Sequence, residues 1–430
     1  MWDGKGEEMP IRAWLLLKHL QVWRGWNAEA GNPFYGKADL NRVVLIGHSR
    51  GAEAVAHAAM LNNKLDRPLD KVAKDGEFGF GIRGVVAIAP SDGQYRPLGI
   101  ERKLIDVSYL LLQGGHDQDL TSAIGMRQYN RTRFESNPDA FKAVAYIYRA
   151  NHGNFSTVWG GNDHGLSAST LLNRAALLTP EEQRTAGKVF MTAFLEATLR
   201  GADDYRKVFI SPAGATDWLP DDIYVTQYQD AGFKAVNTHD RPGKLETAEK
   251  RLKVTTAGLN QPFKPEMPLR DQQTQANRAL LAAWDANANP SYTLTLPQGS
   301  DAEFSLRGDE RFVFALGNAM EDDTPLYVTV ELVDAQGEVA VQPVNRFGIA
   351  PPALPAKLEK SKAVSKFLDS EFFPKLTTPY ERMLQSFEIP LSAFAATNPE
   401  FDPAQVEIIR FRFSDESGGK VYVDEIGFRG

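Results

Sequence analysis

The chain has no cysteine among its 430 residues. That absence excludes disulfide scaffolds, thiolate zinc sites, iron–sulfur clusters and cysteine nucleophiles. Also missing is any apolar run near the roughly 18–20 residues that a membrane-spanning helix needs. There is no excess of positive charge: 48 Lys and Arg stand against 55 Asp and Glu, a net charge of −7. Proteins that grip phosphate backbones carry the opposite bias, so nucleic acid is not an expected partner. The opening Met1-Trp2-Asp3-Gly4-Lys5-Gly6-Glu7-Glu8 lacks the basic and apolar regions of a secretory signal. What is present is ordinary globular material, 43% hydrophobic and 24% charged. At about 150 residues per domain, the length predicts two or three domains.

The first 200 or so residues alternate helical and strand patterns. Residues 11–26 carry Ala13, Leu16, Leu17, Leu20 and Trp23 on one helical face and Ile11, Trp14, Leu15 and Val22 on the other. A helix apolar most of the way round predicts burial. Short apolar strands are predicted at 42–46, 84–90, 108–112 and 143–148, with a helix over about 51–61. Strands alternating with helices imply a parallel sheet covered on both faces. Thr179-Pro180-Glu181-Glu182 marks a helix start, with Thr179 as N-cap, Pro180 in the first turn and Glu182 closing a capping box.

Beyond residue 215 the period changes. Leu326, Val328, Val330 and Leu332 alternate with Tyr327, Thr329 and Glu331, as do Tyr292, Leu294 and Leu296 with threonines, and Ile409, Phe411 and Phe413 with arginines. Half-buried antiparallel strands separated by turn residues predict a β-sandwich. Residues 234–290, rich in Lys, Gln, Asn and Pro, read partly as loop or insertion. The expected organisation is an α/β domain over 1–207 and an all-β domain over 216–430.

The strongest chemical signal is Gly47-His48-Ser49-Arg50-Gly51, between a predicted strand and a predicted helix. A G-x-S-x-G in that setting is a nucleophile elbow, in which glycines admit a turn too tight for side chains beside a strained serine. A nucleophilic serine needs a base, and the base an orienting carboxylate, in the chain order Ser, Asp or Glu, His. Asp117 follows one predicted strand and His152 the next. Both therefore fall at the carboxyl edge, where open α/β sheets place their sites. Asp119 competes with Asp117 as the acid, Asp92 more weakly, and His164 competes with His152 as the base. His48 reads as an elbow packing residue; His57 and His116 read as structural or solvated. His19 lies upstream on the first helix and His239 in the second domain. Phe155 and Trp159, with His48, are candidates for an apolar pocket wall. No fixed metal-ligand spacing of the H-E-x-x-H kind accompanies these residues.

The stretches Arg12–Leu17, Asn32-Pro33-Phe34 and Gly47–Gly51 resemble the α/β-hydrolase superfamily, in particular bacterial dienelactone-hydrolase, polyester-hydrolase and platelet-activating-factor-acetylhydrolase types, over about residues 10–207. The resemblance implies a cofactor-free serine esterase with Ser49 as nucleophile, Asp117 as acid, His152 as base and the Arg50 N–H in the oxyanion hole. Peptidase or thioesterase chemistry would use the same triad. In that superfamily further strands precede the elbow strand and supply a second oxyanion donor, whereas only 48 residues precede Ser49 here. The expectation is thus a chain cut at its front from a longer, exported polypeptide, with an exposed sheet edge. The ending Gly419–Phe428 resembles galactose-binding-like jelly rolls of carbohydrate-binding modules. That implies a glycan ligand, and a structural calcium to which Asp424 or Asp230 would contribute. A catalytically impaired scaffold that binds glycan through the jelly roll is the alternative to an esterase.

Overall fold

The computed structural model describes all residues except 1–7, 64–77, 97–98, 121, 162, 164–172, 246–251, 272, 298–305, 323, 353, 357–379 and 415. The amino-terminal part runs α1 (Glu8–Ala28), β1 (Val43–His48), α2 (Arg50–Asn62), β2 (Ile82–Ile88), β3 (Ser108–Gly114), α3 (Met126–Arg131), β4 (Phe141–Ile147) and α4 (Pro180–Arg200). Strands β1 to β4 pair in parallel and in sequence order. Every residue of β3 and β4 is buried, because helices cover both faces of the sheet. Tyr109 and Leu111 face the side of α1, α2 and α3 with Val55, Ala59 and Tyr129, while Leu110 and Leu112 face Phe190 and Phe194 of α4. Each such aromatic or leucine contributes about 1.5–3 kcal/mol by burial. At the start of α4 the Thr179 hydroxyl accepts the Glu182 N–H at 3.2 Å, and the Glu182 carboxylate accepts the Thr179 N–H at 2.9 Å.

A fifth strand, β5 (Tyr224–Asp230), completes this sheet antiparallel to β4. The sequence places residues 216 onward in the second domain; the sheet instead extends past that boundary. Strand β5 is covered on its other side by the sandwich, which supplies Gln385 and Ser386 as acceptors for its Thr226 and Tyr228 N–H groups at 2.9 and 3.1 Å.

Helix α1 also departs from expectation. Only Met9, Ala13 and Leu17 are buried, while Ile11 is 64% and Leu15 50% exposed. The helix rests on α2 by one narrow face, and Trp23, Trp26 and Phe34 cluster edge-on and stacked at its far end. Strand β1 is the edge of the sheet, with Ile46 48% exposed. The elbow strand is therefore an edge strand here.

The carboxyl-terminal part is a two-sheet β-sandwich. One sheet comprises β6 (Phe233–Asn237), β10 (Leu280–Trp284), β12 (Arg311–Asn318), β17 (Gln385–Pro390) and β19 (Gly419–Arg429). The other comprises β7 (Lys253–Ala257), β11 (Ser291–Thr295), β13 (Val328–Asp334), β14 (Val339–Pro343) and β18 (Val406–Phe413). Their inner faces share one core of Phe312, Phe314, Phe387, Phe411, Phe428, Val330, Leu332 and Ile409. The region 234–290, expected partly as loop, also holds β6, β7, β10 and the hairpin β8 (Glu266–Pro268) and β9 (Thr274–Arg278), with non-strand segments between them. Edge strand β7 buries only Val254 of its five residues, so its composition is that of a loop.

Candidate active site

The carboxyl ends of β1, β3 and β4 converge on one edge. Ser49 joins β1 directly to α2 with φ 58° and ψ −129°, a conformation uncommon for any residue with a Cβ. Its N–H donates to Ile88 O at 2.9 Å, which ties the turn to the neighbouring strand. Of the two glycines in the motif, only Gly47 is sterically required. A Cβ on Gly47 would lie 2.3 Å from Gly51 O, whereas one on Gly51 would meet nothing within 4 Å. Arg50 opens α2, so its N–H stands at the positive end of the helix dipole.

The residues expected as acid and base come together. His152 Nδ1 and Asp117 Oδ2 lie 2.8 Å apart, and both residues are buried. Asp117 Oδ1 accepts the N–H groups of Asp119 and Leu120, each at 2.9 Å. Burial opposes ionisation of Asp117, but the facing His152 and these hydrogen bonds outweigh it and hold the carboxyl below its usual range. Burial likewise opposes protonation of His152, yet Asp117, Asp119 and Asp163 together push it up to about 9. Nε2 of His152 lies 3.4 Å from Asp119 Oδ2 and makes no hydrogen bond to any described residue, Ser49 included. Asp119 therefore meets the other ring nitrogen and is substantially exposed. Asp92 is engaged elsewhere, with Arg131 at 3.0 Å. His164 lies outside the described residues.

His48 joins the elbow to the base: its ring sits 4.6 Å from that of His152, and its Nε2 is 3.1 Å from His152 O. Burial, with the neighbouring His152, pushes His48 down to about 4, so it is neutral at pH 7. Trp159 stacks on His152 at 5.9 Å and approaches His48 at 5.0 Å, while Phe155 meets His48 at 6.4 Å. His48, Phe155 and Trp159, expected as a pocket wall, thus form one run of ring contacts beside His152. His116 bonds Tyr148 O through Nδ1 at 2.7 Å, and burial pushes it down to about 4. His57 lies 3.8 Å from Glu53 on α2, His19 is exposed on α1, and His239 is buried in the sandwich.

Two carboxylates escape sequence reasoning. Asp163 accepts the N–H groups of Gln118, His152 and Gly153 and the Asn151 amide, at 2.9–3.1 Å, so one side chain bridges the acid and base loops. Its position in a glycine-rich run shortly after His152 is the only sequence signal for it. Glu53, buried on α2, accepts the Ser91 hydroxyl at 2.8 Å and the Tyr95 N–H at 3.1 Å. Nothing in the linear pattern marks a carboxylate on a small-residue helix as a loop anchor.

Asp424 and Asp230, expected at a calcium, are both engaged by protein groups. Asp424 is buried against His239 and Asn277, each at 3.3 Å, and Asp230 pairs with Arg429 at 3.1 Å and Tyr228 at 3.0 Å. Among the described residues, no group of three or more His, Cys, Asp or Glu could hold a metal ion. No described helix is long and apolar enough to cross a membrane.

No family model and no curated protein matches the sequence. Solved structures do align with it. A family 11 carbohydrate-binding module of a cellulosomal cellulase from Clostridium thermocellum is 13% identical, spans 47% of this chain and 96% of its own, and has a TM-score of 0.26. A family 30 module from a cellulosomal cellulase of the same organism is 12% identical over 46% of this chain and 95% of its own, with a TM-score of 0.27. An exo-β-agarase is 9% identical over 46% of this chain and 24% of its own, with a TM-score of 0.26. The sandwich itself follows from the strand pairing described above.

Proposed function

We propose that the chain is a serine carboxylic-ester hydrolase that works through an acyl-enzyme. The observation that carries this reading is a serine strained at φ 58° at the same sheet edge as a buried Asp117–His152 pair 2.8 Å apart. Asp117 holds the Nδ1–H tautomer, which leaves the Nε2 lone pair to take the Ser49 proton as Oγ attacks the ester carbonyl. The Arg50 N–H stabilises the resulting oxyanion, and one such donor is worth roughly 100- to 1000-fold in rate. Collapse breaks the acyl–oxygen bond, and the imidazolium gives its proton to the departing alkoxide. Water, deprotonated by His152, then releases the acid and restores the Ser49 hydroxyl. The aromatic wall of Trp159 and Phe155 suits an apolar acyl or alcohol group.

A fluorophosphonate probe tests this on the intact chain. The expected adduct maps to the peptide carrying Ser49, competes with ester substrate and needs no metal. An adduct on any other residue, or none, would sink the assignment.

A second reading concerns the sandwich. An open cleft of about 360 Å³ there is lined by Tyr327, Ile349, Pro352, Asn318 and Asn345, with Tyr327 55% exposed. An aromatic face beside side-chain amides suits a sugar ring, which stacks by its C–H face and hydrogen-bonds by its hydroxyls. In affinity electrophoresis, soluble β-glucan, mannan or agarose is expected to retard the chain, and Tyr327→Ala to abolish the retardation. Equal mobility with and without all three polysaccharides refutes it.

A further inference from the structure

Two small appendages of the carboxyl-terminal part, outside the sandwich sheets, reach into the catalytic edge. Arg270, in the turn between β8 and β9, is 1% exposed, the largest side chain buried to that degree among the described residues. Its Nη1 donates to Gly115 O at 3.1 Å and its Nη2 to Asp117 O at 3.2 Å. Its own N–H donates to Glu381 Oε1 at 3.1 Å, and its Nε lies 3.8 Å from Glu381 Oε2. Glu381, in the short strand β16 (Tyr380–Glu381), also accepts the Ser122 hydroxyl at 3.2 Å and the Ala123 N–H at 3.3 Å. One buried ion pair from the second domain thus grips the β3–α3 turn at Gly115 and Asp117 on one flank and at Ser122 and Ala123 on the other.

We propose that Arg270, seated by Glu381, is a positioning residue for Asp117, so that the carboxyl-terminal part completes the catalytic apparatus. This rests on the esterase reading above and extends it to a part of the chain that touches no substrate. Asp117 is held from opposite sides: the turn's N–H groups fix its carboxylate, and the guanidinium fixes its carbonyl. Simple adhesion between the domains does not require this pair. Neutral contacts already serve the interface, including Gln385 with Thr226, Ser386 with Tyr228 and the Asn130 amide on Gln275 O at 2.8 Å. Burying a guanidinium is costly unless it is well paired, a strange choice for glue alone. Spent on the turn that carries the acid, it prevents displacements of the 1 Å size that cost roughly a hundredfold in rate.

The test compares Arg270→Met, Arg270→Lys and Arg127→Met in the full chain. The Arg127 side chain donates to Thr274 O at 2.8 Å across the same interface, away from Gly115 and Asp117. Arg270→Met is expected to lower kcat for a p-nitrophenyl ester roughly 10- to 100-fold with KM little changed. It should also move the ring titration of His152, read by NMR, from about 9 toward its ordinary value. Arg270→Lys, with one donor group in place of the fork, should fall between, and Arg127→Met should leave kcat and the titration as in the wild type. Should Arg270→Met fail to fold, the comparison of Arg270→Lys with Arg127→Met decides alone. The proposal is overturned if folded Arg270 variants keep the wild-type kcat and His152 titration, or if Arg127→Met shifts both equally. A wild-type chain that hydrolyses no ester defeats the esterase reading, while the His152 titration still tests the clamp.

Discussion

Ser49→Ala is expected to lower kcat for a short-chain p-nitrophenyl ester by roughly ten-thousand- to million-fold, with KM and melting temperature nearly unchanged. In the proposed mechanism, removing the hydroxyl deletes the atom that would form the acyl bond, so no partial mechanism would survive at this residue. The fold should tolerate the change. The Ser49 side chain makes no capping hydrogen bond to α2, and the turn depends instead on the Ser49 N–H to Ile88 O and the close approach at Gly47. Alanine at φ 58° carries the same Cβ strain as serine, so the two states start from equal backbone cost. Residual rate from the oxyanion donor and binding sets the floor. Active-site-titrated kinetics check it; a variant keeping more than about a hundredth of wild-type kcat shows another nucleophile at work.

Asp117→Asn is expected to cost roughly ten-thousandfold in kcat for a different reason, the tautomer. In the wild type, Oδ1 accepts Asp119 and Leu120 N–H groups while Oδ2 accepts from His152 Nδ1. Asparagine keeps its carbonyl where those two N–H groups need an acceptor, which turns its NH2 toward Nδ1. Nδ1 must then accept, the proton moves to Nε2, and the base is lost. The pH profile separates this from plain disruption. His152 acts only when neutral, and kcat/KM reports the free enzyme. With His152 pushed up to about 9, wild-type kcat/KM should rise about tenfold per pH unit from 7 and level off above 9. Without the Asp117 charge, protonated His152 is less stable, so the rising limb of the variant moves to lower pH. A limb that stays put in Asp117→Asn shows that Asp117 is not what raises His152.

These two residues and Ser49 are legible in the linear sequence because each follows a short apolar strand, and a parallel sheet brings all such strand ends to one edge. The strands of one sandwich sheet are legible for a related reason. β13 and β18 lie side by side with one face packed into the shared core and the other less deeply buried, so Val330 pairs with Phe411 inward while Glu331 pairs with Arg410 outward. The opposite sheet hides the same period. β12 buries seven of its eight residues, because its outer face packs Ala315 with Met267, Leu384 and Tyr422 beneath the hairpin and the α/β part. Burial on both faces erases the alternation. β5 is unreadable as a member of the first sheet, since nothing local tells a strand which sheet it joins. The bridge made by Asp163 and the clamp made by Arg270 are invisible for a deeper reason: each is defined by backbone groups that it meets only after folding. On α1 the apolar pattern is correct as a pattern, but the number of faces that find a partner is set by tertiary packing.

β5 ends at Asp230 and β6 begins at Phe233, so only Ala231 and Gly232 separate the sheet that carries His152 from the sandwich, and the Gly232 N–H is tied to Asp230 at 3.0 Å. There is no tether here, and hence no reach to tune. Modules joined by long flexible spacers let an anchored enzyme sweep a disc of surface; two residues held in a turn allow no sweep. Any polymer gripped by the sandwich would be offered to Ser49 at one distance and one angle. Such a molecule would act like a plane iron fixed in its block, and could advance along its substrate only by letting go.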